Sequence, residues 1–109
     1  MNAHIRITVC AGCGQLHEVR RADVLTCSAR CRVKAHRNGS LKTLRALARS
    51  FDIKAATILQ AEALRRLRPD LAEIVHAGKQ TLRDVGPDLQ REFDARAFKA
   101  ARLAAGIAP

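Results

Sequence analysis

Residues 5–9, Ile-Arg-Ile-Thr-Val, alternate apolar and polar side chains and are rich in β-branching, a pattern that predicts a short strand. It runs directly into Cys10. Beyond Ser28 the apolar positions recur at spacings of three and four, the period of a helix that buries one face. Ser28 to Arg37 contains no Gly or Pro, so the chain can form a helix of two to three turns that Asn38-Gly39 stops. With Ser40 as N-cap, the next helix carries Leu41, Leu44, Ala48 and Phe51 as one apolar stripe and Lys42, Arg45 and Arg49 on another face. Residues 54–67 predict a third helix that buries Ile58, Leu59, Leu64 and Leu67.

Pro69 suits the first turn of a further helix, where Asp70 and Glu73 complement the dipole and Gly78 turns the chain again. Thr81 with Asp84 has the spacing of a capping box, opening a short helix that Pro87 should interrupt. A last helix is expected from about Asp88 to Ala105, with Leu89, Phe93 and Ala97 at i, i+4 and i+8 and Phe98 nearby. Its apolar face is either core or a self-association surface, and the second use would make a homodimer.

The chain has 109 residues, enough for one ordinary domain or for a stapled module followed by a compact helical one. The first forty residues contain no Phe, Tyr or Trp, and all three Phe residues (Phe51, Phe93, Phe98) come later. A segment of about 40 residues with so little apolar bulk needs a metal in place of a core. The expected organisation is therefore a metal-held module of short β-hairpin plus helix over residues 1–39, and an all-α domain over residues 40–109.

Charge divides the chain at nearly the same place. Of the formal +10, residues 1–50 hold ten Lys/Arg against Glu18 and Asp23, a net +8, whereas residues 51–109 hold ten against eight, a net +2. Concentrated positive charge is the footprint of a surface for polyanions, because neutralising phosphates releases condensed counterions. The start of the chain lacks the apolar core of a secretion signal, and no stretch approaches the roughly 18 apolar residues of a membrane span. A cytoplasmic, nucleoid-associated protein with no membrane partner is expected. Its reducing surroundings turn the cysteines toward metal rather than disulfides.

Those cysteines stand as Cys10-x2-Cys13, thirteen intervening residues, then Cys27-x3-Cys31. Two close pairs can each bite one ion, and four thiolates complete the tetrahedron of one structural Zn2+ per chain. A redox Cys-x-x-Cys belongs in a βαβ context, which is missing here. Gly12 and Gly14 bracket Cys13 and allow the tight turn that brings backbone amides to sulfur. Cys27, Cys31 and Ala35 fall at i, i+4 and i+8, as the inner face of one helix would. His17 and His36 are alternative ligands that a full set of thiolates makes unnecessary. His4 and His76 belong to no such pattern.

The segment Cys10-Ala-Gly-Cys13-Gly14, Arg21-Ala-Asp23-Val24 and Cys27-Ser28-Ala-Arg-Cys31-Arg32-Val-Lys-Ala35-His-Arg37 resembles small bacterial, phage and plasmid zinc fingers of treble-clef type. Their pattern is CxxCG, a central R-x-D-A, then an aromatic-Cys-Ser-x-x-Cys-Arg-x-x-Ala-x-Arg. The resemblance implies a zinc knuckle, a hairpin, and a helix that carries the last two ligands. Here Thr26 stands in place of the usual aromatic and Leu16 in place of a common Phe, which thins the hairpin's core. Pro69 to Val85 is similar, more distantly, to a segment near the helix-turn-helix of ParB-like partition proteins, in which a P-x-L-A-x-x-V-x-x-G helix precedes a second short one.

The leading expectation is a zinc-finger protein that binds duplex DNA, a small transcriptional regulator of a phage or plasmid. Arg30, Lys34 and Arg37 sit at i, i+4 and i+7 and form one basic stripe, with Arg32, Lys42, Arg45 and Arg49 as further candidate DNA contacts. The scarcity of aromatics in the basic half argues against stacking single-stranded bases. The alternative is a protein-binding zinc module resembling the finger of small bacterial gyrase inhibitors. Catalysis and a small-molecule substrate are not expected, because four thiolates leave the ion no open position.

Overall fold

The computed structural model describes residues 7–21 and 23–106; Ile5 and Arg6 of the expected strand lie outside them. Among the described residues the chain forms a two-stranded hairpin and five helices: β1 (Ile7–Val9), β2 (Leu16–Glu18), α1 (Ala29–Arg37), α2 (Ser40–Ser50), α3 (Ala55–Leu67), α4 (Pro69–His76) and α5 (Leu82–Ala104). The strands pair antiparallel with Ile7 opposite Glu18, Thr8 opposite His17 and Val9 opposite Leu16. No helix among the described residues is long and apolar enough to cross a membrane.

Helix α3 is the centre of the molecule, packing against β1, α2, α4 and α5. Its Leu59, Ala63, Leu64 and Leu67 meet Ile7 and Val9 from β1, Leu71 from α4, and Val85 and Leu89 from α5 in one buried cluster. The core thus crosses residues 38–40, where the sequence had placed a boundary. The physical reason is that a three-residue strand cannot bury its own apolar side chains, and the nearest apolar surface belongs to α3. Thr8 is buried as well, at 2% exposure, so β1 is covered on both faces rather than half-buried as its alternation implied.

Several local expectations resolve differently. Phe51, read as the end of a buried stripe, is 65% exposed, while Leu41 and Ala48 of that stripe are buried. Helix α2 ends at Ser50, and Phe51 is its C-cap with the chain already leaving the helical path. The capping of α2 also shifts: Gly39, at φ 79°, occupies the N-cap, and the Asn38 side chain accepts the Ser40 N–H at 2.9 Å. Pro87 does not interrupt a helix, because α5 is continuous from Leu82. The residue before it, Gly86, has no Cβ to clash with the proline ring, and the fully buried Val85 and Leu89 anchor the helix on either side. The Thr81–Asp84 capping box is present in both directions, at 3.0 and 3.2 Å.

Leu64, 1% exposed at the centre of the cluster, is expected to cost about 2–5 kcal/mol on replacement by Ala, as large-to-small core changes do. Phe51→Ala should stay within about 0.5 kcal/mol. Urea unfolding followed by circular dichroism checks both, and a Phe51→Ala loss matching that of Leu64→Ala would contradict this packing.

Candidate metal centre

The four cysteines converge from three places in the chain. Cys10 directly follows β1, Cys13 stands in the turn between the strands, and Cys27 and Cys31 flank the start of α1. Their Sγ atoms all lie within 4.8 Å of one another, and none is in a disulfide. Cys13 and Cys27 approach to 3.8 Å and Cys27 and Cys31 to 3.5 Å. A tetrahedron of thiolates around one ion, with metal–sulfur bonds of about 2.3 Å, has edges of about 3.8 Å, so the cluster fits a single four-coordinate thiophilic ion.

Backbone geometry prepares the sulfurs for that role. The Cys10 thiol is 1% exposed, and its Sγ accepts the N–H groups of Gly12 at 3.3 Å, Cys13 at 3.5 Å and Cys27 at 3.3 Å. Burial pushes this thiol up, but the three amides outweigh it and bring it from an ordinary 9.0 down to about 6. Cys27 moves the other way, to about 12, because contact with the sulfurs of Cys31 and then Cys10 disfavours a further negative charge beside them. Four sulfurs this close become anions together only around a cation.

Two glycines shape the turn. Gly12 lies so near α1 that a Cβ placed on it would sit 2.5 Å from the Cys31 carbonyl oxygen and 2.7 Å from the Cys31 Cβ. Gly14 takes φ 73°, and its N–H closes the turn onto the Cys10 carbonyl at 2.9 Å. The second pair is set by Ser28, the N-cap of α1, whose hydroxyl accepts the Cys31 N–H at 3.2 Å. Cys27 therefore precedes the helix instead of sharing its inner face. Cys31 lies in the first turn, and Ala35 is the buried residue of α1.

The other candidates are placed as follows. His17 is on β2 opposite Thr8, and burial lowers its pKa; His36 is exposed on α1, and neither joins the sulfur cluster. Arg30, Lys34 and Arg37 line one open groove on α1 together with Val33 and Asn38. Arg32 is exposed on the same helix, and Lys42, Arg45 and Arg49 are exposed on α2. Sequence reasoning missed Arg66, whose Nη1 donates to the Gly14 carbonyl at 2.6 Å while its Nε donates to Glu62 at 2.9 Å. That bond ties α3 to the cysteine turn across 52 residues, and no local pattern announces it. Comparison with protein families, with curated proteins and with solved structures finds no match, so the site is read from its own geometry.

Elemental analysis of the purified chain is expected to find one thiophilic metal ion per molecule, and Cys→Ser at any of the four positions should release it. Gly12→Ala should weaken retention as well, because the added methyl displaces Cys31. Chelation should raise amide hydrogen exchange throughout Ala29–Arg37 while Leu59–Leu67 stays protected. Equal loss of protection in α3 would show that the metal holds the entire core.

Proposed function

We propose that the chain is a structural zinc protein that grips duplex DNA through the exposed face of α1, with α2 extending the contact. Zinc is the ion best matched to four thiolates in a closed tetrahedron. The cysteine turn between two short strands, followed by a helix that carries the last cysteine, supports a treble-clef reading. The DNA reading rests on one observation above the others. Arg30, Arg32, Lys34, Arg37, Lys42, Arg45 and Arg49 all lie between Asp23 and Asp52, a stretch without an acid, and none makes an ion pair among the described residues.

Most arginines of the other half, though not Arg83, are paired with acids among the described residues. Arg65 and Arg66 pair with Glu62, Arg68 with Asp70, Arg91 with Asp88 and Arg96 with Glu92. Charges that serve only solubility would be neutralised in both halves alike. Unpaired cations on two consecutive helices keep their field for an external polyanion. Helix α1 suits the major groove, about 12 Å wide, where Arg30, Lys34 and Arg37 would meet phosphates and one Arg could read a guanine edge. A small regulator of a mobile element is the role that the zinc-finger resemblance supports. The proposal contains no catalytic step, since a four-thiolate ion has no open position for water.

Protein docking is a second reading, favoured by the exposure of Leu47, Phe51 and Ile53 around the end of α2. Purified protein alone should shift duplex DNA if the first reading holds. Replacing Arg30, Lys34 and Arg37 together by Ala should weaken binding by orders of magnitude and lower the log–log salt slope by about 0.9 per lost contact. The matching triple at Arg91, Arg96 and Lys99 should do much less. A reversed ranking in fluorescence anisotropy across a salt series would move the nucleic-acid surface to α5, and no binding by any variant would favour docking to a protein.

A further inference from the structure

Past Arg96 the last helix leaves the body of the molecule. Arg96 pairs with Glu92 at 2.9 Å and donates from Nη2 to the Leu67 carbonyl at 3.1 Å. From Ala97 to Gly106 every residue except the half-buried Arg102 is exposed. The Cα radius of gyration is 14.8 Å. A compact chain of this length would have about 13 Å, so the molecule is extended, as a projecting helix requires.

Alanine at positions 95, 97, 100, 101, 104 and 105 gives this segment high helical propensity, yet a free helix so short is marginal in water. It also exposes Phe98 (64%), and Leu103 (57%) on the opposite side of the helix. Ala97, Phe98, Ala101 and Ala105 share one face, with Asp94 at its near end, and the small side chains allow a second helix to come close.

The charges along α5 indicate what that second helix is. Leu82 to Asp94 carries four acids against two arginines, and Ala95 to Ala104 carries Arg96, Lys99 and Arg102 with no acid. Laid antiparallel on a second copy with the projecting parts in contact, the cationic end of each helix faces Asp94 of the other. Laid parallel, like charges would meet. Asp94 accepts from the Gln90 side chain at 3.0 Å and makes no ion pair among the described residues. Arg102 lies over the Phe98 ring at 5.7 Å, on the border of the same face.

We propose that two copies of the chain associate antiparallel through the projecting part of α5, packing Phe98 and the alanines together and setting Arg102 of each copy beside Asp94 of the other. The contact is shorter than the about 800 Å² per partner of a standard interface, so the dimer forms at micromolar concentration and dissociates on dilution. It does not depend on the DNA reading. In the dimer the two α1 faces would be presented as a symmetric pair.

Sedimentation velocity over micromolar to sub-millimolar concentration tests this on the full metal-loaded chain. The wild type should show a reversible monomer–dimer equilibrium, and Phe98→Glu should raise the dissociation constant at least about tenfold. Ala101→Glu, on the same face, should do likewise, with circular dichroism confirming that helix content is kept. Asp94→Arg should weaken association about tenfold, and adding Arg102→Asp should restore it. A wild type that stays monomeric throughout, or Phe98→Glu and Ala101→Glu dimers as strong as wild type, would overturn the proposal. An unchanged constant for Asp94→Arg would overturn the antiparallel arrangement, because only that arrangement sets Asp94 against a cation.

Discussion

The convergence of four sulfurs is the constraint on which the arrangement of the basic half depends. Helix α1 buries only Ala35, packs chiefly on α2 among the helices, and exposes most of its other side chains. Nine residues with one buried methyl do not hold a helix in place, since isolated helices of that length are marginal. What fixes α1 is its first turn, where Cys31 lies against Gly12 and shares the sulfur cluster with Cys10 and Cys13. A bound ion would contribute on the order of 10 kcal/mol in such a site, more than any apolar contact that α1 makes.

The cysteine turn is in its own turn fixed by the helices. Ile7 and Val9 immediately precede Cys10 and are buried among Leu59, Ala63, Leu64 and Leu67, so the start of the metal site rests on α3. Arg66 adds a second tie by donating to the Gly14 carbonyl. The path of support runs from α3 to β1 to the cysteine turn to α1. Loss of the core would therefore loosen the site, while loss of the site would release α1 and leave most of α3 buried. That asymmetry follows from where the large apolar side chains are. Residues 10–40 contribute only partly buried Leu16 and Leu25 as large aliphatic packing partners of the cluster.

Much of this was legible in the sequence because its signals are local. The Cys-x2-Cys and Cys-x3-Cys spacings located the site, the helical periods located α2 to α4, and Thr81 with Asp84 located the start of α5. The failures share a cause. Whether Phe51 is buried, whether β1 has one covered face or two, and whether Pro87 breaks a helix each depend on what packs from elsewhere in the chain, and no window of ten residues contains that. Gly86 before Pro87 was the one readable hint that the helix could continue. Arg66 illustrates the limit most plainly: in sequence it is one of three arginines around Leu67, and only the folded chain sets it beside Gly14.

The same tertiary arrangement explains how α1 tolerates its own charge. Its first turn contains no acid and includes Arg30 and Arg32, the wrong sign for the positive end of a helix dipole. An isolated peptide of this sequence would fray there. In the protein, Cys27 and Cys31 stand at that end, and four thiolates around a divalent cation would carry a net negative charge. A metal-loaded cluster would thus supply the anion that the helix's own sequence lacks. With the helix end stabilised by the sulfurs, the acids that would ordinarily perform that service are dispensable, and α1 can present Arg30, Lys34 and Arg37 without an internal counter-ion. A fold that needed carboxylates to hold this helix would have neutralised the surface in the act of building it.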